Sequence, residues 1–157
     1  MDFLLDPPHV GSLVLGDQMD RAAEALRELG DLRSVRTTES STPSWFVVRP
    51  SGLSIRVDSD AGDRVVAIEY GSGLGATDRV FYRDISLFDE PVDEVLRRLR
   101  QTTEVVDSDD EPGYSFTAPA LLLALWRPTF PEASGDSDGR FFEGVLMASP
   151  GYYDASL

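Results

Sequence analysis

DQMDRAAEALRELG at residues 17–30 and DEPVDEVLRRL at residues 89–99 decide the fold. In the first stretch Met19, Ala22, Ala23, Leu26 and Leu29 recur at intervals of three and four, which puts them on one face of a helix. Asp17 is the expected N-cap, Asp20 lies near the positive end of the helix dipole, and Gly30 supplies a left-handed stop. In the second stretch Asp89 is the expected cap. Glu90 and Pro91 fall in the first turn, where proline forfeits no hydrogen bond, and Val92, Val95, Leu96 and Leu99 share a face. Each helix is apolar along one stripe only, so each needs a sheet to cover it.

Working outward, each helix follows a short alternating stretch, Leu13–Leu15 or Ile85–Phe88, and precedes a polar linker. Strands are then expected over 45–49, 53–57 and 65–70 in the first half and over 114–117, 121–126 and 141–147 in the second. Residues 118–126 are rich in Ala and Leu behind Thr117 and Pro119, so a short helix competes there, and the register of the halves favours strand. The parallel order of elements predicts an α+β chain forming one domain over residues 1–157. It would have two similar halves, 10–75 and 80–154, each a helix on an antiparallel sheet of three to four strands that join or stay separate.

Composition removes many chemistries. The 157 residues include no cysteine, which excludes disulfides, thiolate nucleophiles and thiolate metal sites. All 14 basic residues are arginine, as in GC-rich genomes such as those of actinobacteria, so lysine Schiff bases and the P-loop lysine are excluded too. No apolar run approaches a membrane span, and the first residues lack the pattern of a secretory signal, which makes a soluble, cytoplasmic protein the expectation. The net charge of −14 repels nucleic acid and anionic lipid and favours encounter with a basic protein partner.

Site motifs are weak. His9 stands alone in a Pro-Pro-His stretch where mobility is expected, with no organised partner for a triad or a metal. Gly71, Gly73 and Gly75 follow a strand, yet no helix comes next to meet a phosphate, so they read as a crossover between the halves. The Asp-rich runs at 58–63, 107–110 and 136–138 read as turns and not as calcium loops, since none completes the required ligand pattern. No cofactor, metal ligand or catalytic residue is assigned. A hydrolase using paired carboxylates and a small-molecule-binding module stay open as alternatives to protein binding. Alternation along strands turns some aromatics away from the helices, which makes Trp45, Tyr70, Trp126 and Phe142, with Tyr152 and Tyr153 near the end, candidate interface anchors.

The segment VGSLVLGDQMDRAAEALRELG, Val10–Gly30, and to a lesser extent Ile85–Leu99, resembles the opening of each half in tandem helix-plus-sheet domains of the beta-lactamase inhibitory protein family and its lipoprotein-like relatives. Here Asp17 replaces the hydroxyl cap of that family, and its disulfides are missing. The resemblance implies an antiparallel sheet that presents a surface to a protein, and a role such as that of an immunity or antitoxin-like protein neutralising a basic partner.

Overall fold

The structure is a computed structural model describing residues 2–30, 32–36, 43–48, 52–73, 78–108, 110, 112–129 and 139–150, with backbone alone for 33–36 and 43–48. It is α+β, with two helices and two sheets rich in antiparallel pairs. Helix α1, Met19–Arg27, buries Met19, Ala22, Ala23 and Leu26, and helix α2, Val92–Leu99, buries Val92, Val95, Leu96 and Leu99. Burying one of these methionine, leucine or valine side chains contributes about 1.5–3 kcal/mol, enough to hold helices this short that would be marginal alone.

The helix ends differ from expectation. Gln18 and Pro91 occupy the cap positions, without side-chain caps. Asp17 accepts from the Gln18 amide at 2.9 Å, one residue early for a cap. Asp89 accepts from the Ser86 hydroxyl at 2.7 Å while Glu90 accepts from the Ser86 amide at 2.8 Å, so both fix the approach to α2 from outside it. Gly30 is not among the described glycines with positive φ, because α1 ends at Arg27 with an ordinary right-handed Glu28. Arg98 anchors α2 laterally, reaching Glu90 at 2.8 Å and Asp84 at 2.7 Å.

The small sheet contains β1 (Asp2–Asp6), β2 (His9–Val10), β3 (Leu13–Val14), β8 (Arg79–Tyr82) and β9 (Ile85–Ser86) in the order β3-β2-β1-β8-β9. His9 is thereby held in a strand, exposed and paired with Asp6 and Val14, where mobility was expected. The residues after the glycine run enter β8, which pairs parallel with β1. In β1 Phe3 and Leu5 point inward while Asp2, Leu4 and Asp6 stay exposed.

The large sheet contains β4 (Arg33–Arg36), β5 (Pro43–Val48), β6 (Ser54–Ser59), β7 (Val65–Gly71), β10 (Val106–Asp107), β11 (Ser115–Ala118), β12 (Leu123–Trp126) and β13 (Gly144–Ala148). Its order is β10-β11-β12-β13-β7-β6-β5-β4, and every neighbouring pair is antiparallel. Both contested readings of 118–126 find a place: Pro119–Leu121 is a 3-10 turn, Leu122 is left-handed at φ 59°, and the strand starts at Leu123. One face of the sheet sends Ile55, Val57, Ile68, Tyr70, Leu123, Leu125, Val145 and Met147 into the core that both helices share. On the other face Ala67, Leu146 and Ala148 form a second small cluster against Ala124 and Trp126. No helix among the described residues is long and apolar enough to cross a membrane.

Candidate functional site

A pocket of about 250 Å³ opens where five segments meet at one end of the large sheet. The approach to β6 brings Leu53, the end of β7 brings Ser72 and Gly73, the approach to β8 brings Asp78, the approach to α2 brings Phe88 and Asp89, and the turn before β13 brings Gly139 and Phe141 to Glu143. Three carboxylates, on Asp78, Asp89 and Glu143, thus share a wall with Phe88, Phe141 and Phe142. Phe88 and Phe141 keep part of their surface open, whereas Phe142 is closed beneath them and meets Phe116 edge-on at 5.9 Å.

Backbone bonds fix the turn that carries this wall. Ser72 donates its amide to the Glu143 carbonyl at 2.9 Å, and Val92 donates to the Arg140 carbonyl at 2.9 Å, so the turn is tied to both β7 and α2. Beneath it lies Arg127, a buried charged side chain. Its Nε donates to the Gly113 carbonyl at 2.9 Å and its Nη1 to the Gly139 carbonyl at 3.0 Å. Burial pulls the Arg127 pKa down against the nearby acids Asp93 and Asp107, yet a guanidinium stays charged, so these carbonyls face a fixed cation. Gly73 approaches Gly52 so closely that a Cβ would strike the Gly52 carbonyl, which lets the floor close over that turn.

The carboxyl whose proton affinity burial raises lies elsewhere. Glu69 sits on the second sheet face, its pKa lifted by desolvation, partly offset by Arg56 and reinforced by Asp58. It does not line the acidic pocket. Asp60, in one of the Asp-rich turns, accepts from the amides of Gly62 at 2.9 Å and Arg64 at 3.0 Å, so its carboxylate shapes a turn. Among the described residues no group of three His, Asp or Glu side chains could hold a metal ion. The run at 136–138 lies outside the described residues.

The aromatics picked out from sequence have separate fates. Tyr70 and Phe142 are each only 1% exposed, and side chains so enclosed offer no surface to a partner. Trp126 is half-buried on the second sheet face, where its indole lies across Gly144, the residue opposite it in register, and a Cβ there would collide with the ring. Trp45 stands opposite Asp58 in β5, while Tyr152 and Tyr153 lie outside the described residues. The acidic wall escaped sequence reading because its members come from three separate segments. The one available signal was Phe141 beside Phe142, of which the inner ring anchors the turn and the outer one faces the pocket. No family model, no curated protein and no solved structure matches this chain.

Proposed function

We propose that this chain is a non-enzymatic binding module for a basic protein, with the pocket at the Gly139–Glu143 turn receiving an arginine or lysine side chain of that partner. The observation that carries the reading is the meeting of Asp78, Asp89 and Glu143 with the partly open rings of Phe88 and Phe141 in a chain of net charge −14. A guanidinium seated there stacks on an aromatic ring and is neutralised by carboxylates, two interactions that reinforce each other. The wider negative field speeds encounter, and the pocket supplies the specific contact. Neutralisation of a basic toxin, in the manner of an immunity or antitoxin-like protein, is the concrete form of this role. The location of the burial-raised carboxyl on Glu69, off the pocket wall, favours binding over acid–base catalysis.

Duplication of one helix-and-strands unit is our reading of how the scaffold arose. Outward from the central β7–β13 pair, β6, β5 and β4 on one side correspond in order to β12, β11 and β10 on the other. The pocket then sits where the two units meet, a place open to divergence.

An NMR titration with a hexa-arginine peptide at near-physiological salt tests the assignment. Saturable shifts centred on the amides of Ser72, Gly73 and 139–143 are expected. Shifts spread evenly over the acidic surface, or none, would contradict it.

A further inference from the structure

A second cavity, of about 300 Å³, lies at the other side of the core between α1 and the small sheet. Phe3, Leu4, Val10, Leu13, Ala25 and Leu29 give it an apolar lining. It is about twice the size of the ~150 Å³ engineered cavity that holds benzene, so a ligand of roughly ten heavy atoms fits.

Among the described residues Tyr70 is the only one of the large sheet on this wall. Tyr70 is only 1% exposed, so it meets the cavity with a trace of its surface. Its hydroxyl lies behind that wall, out of water's reach, and has no hydrogen-bond partner among the described residues. Leaving such a group unpaired costs a fold about 1–3 kcal/mol, and phenylalanine would fill the same space without that cost. The oxygen therefore has no stabilising use in the ligand-free protein.

We propose that this cavity binds a neutral, mainly aliphatic molecule bearing one carbonyl oxygen, which accepts a hydrogen bond from the Tyr70 hydroxyl. Phe3, whose ring centroid is 5.4 Å from that of Tyr70, is the side chain on the same wall that gives way for the oxygen to touch the hydroxyl. Asp2 and Glu28 line the cavity from exposed positions, so fatty-acid carboxylates and other anions are repelled at the entrance. The apolar lining supplies affinity, and the single hydroxyl fixes orientation.

The probe is 2-octanone, titrated into the intact chain and followed by amide NMR with a parallel thermal-unfolding series. Saturable shifts at Phe3, Leu13 and Leu29 and a concentration-dependent rise in Tm are expected. Tyr70→Phe should be at least as stable as the parent without ligand, and should bind 2-octanone about tenfold more weakly through loss of one buried hydrogen bond. Ala25→Leu, which fills part of the space, should abolish binding while keeping the fold. No saturable binding, shifts centred elsewhere, or equal affinity in the parent and Tyr70→Phe would each overturn the proposal.

Discussion

The two cavities are close in size, about 250 Å³ and 300 Å³, and opposite in chemistry. One is walled by carboxylates and partly open rings and is assembled from loop ends. The other is walled mainly by apolar side chains from a helix and three short strands, with the enclosed Tyr70 hydroxyl behind them. The difference separates two modes of recognition on one scaffold. Charge contacts at a rim are screened within about 8 Å at physiological salt, whereas apolar burial is nearly indifferent to it. Salt should therefore weaken peptide binding steeply and leave 2-octanone binding almost unchanged, a contrast readable from two calorimetric series.

Arg127→Leu should have the largest effect on this comparison. It leaves the part-buried Gly113 carbonyl and the buried Gly139 carbonyl without their charged donor, a loss of about 3 kcal/mol in urea unfolding. Because Gly139 lines the acidic pocket and not the apolar one, peptide affinity should collapse while 2-octanone still binds the folded fraction. Parallel loss of both would show that the two cavities are not independent.

Gly73→Ala should come next. The new methyl meets the Gly52 carbonyl, backbone that cannot swing aside as a side chain could, and overpacking of this kind costs about 2 kcal/mol. An unchanged urea midpoint would refute the close approach. Arg140→Ala acts in the opposite direction and more gently. Arg140 places its guanidinium 5.7 Å from the centre of the Phe141 ring, so its substitution frees an aromatic face and removes a competing cation. Affinity for the arginine peptide should rise about twofold, within the range of a weak cation–π contact.

Glu69 gives the smallest effect and a control away from both cavities. Its pKa is raised above the ordinary 4.5 by burial, so the folded chain holds that proton more tightly than the unfolded chain does. Stability contributed by this group therefore falls as pH rises from about 4.5 through the raised value. Glu69→Gln removes that fall. The variant should melt slightly higher than the parent near neutral pH, with the gap closing below about pH 4, where both carry no charge at this position. A gap that widens in acid would reverse the sign assigned to Glu69.

What the sequence disclosed follows from the range of the interactions involved. Both helices were legible because their stripes repeat within a few residues, at Met19, Ala22, Ala23 and Leu26 and at Val92, Val95, Leu96 and Leu99. The central strands β6 and β7 were legible through the same local alternation. β1 alternates just as cleanly, with Phe3 and Leu5 inward, but its flanking acids and prolines read as a loose terminus, and its partner β8 is distant in sequence. Tyr70 was visible as an aromatic on a strand. Its depth was not, because Phe3 of β1, which packs against its ring, precedes it by dozens of residues. Cap positions failed for a related reason, since Asp17 and Asp89 spend their oxygens on Gln18 and Ser86, just outside the helices they were expected to start.

The most direct test of the binding role compares two charge-matched variants in calorimetric titration with the hexa-arginine peptide. Asp89→Asn with Glu143→Gln removes two pocket charges, and Asp20→Asn with Glu24→Gln removes two exposed charges on α1, with equal change in net charge. The first pair should weaken binding about tenfold and the second by less than about twofold, since only the former touch the guanidinium. Equal weakening by both pairs would mean that the peptide responds to overall charge alone, and the pocket would lose its claim to be the site.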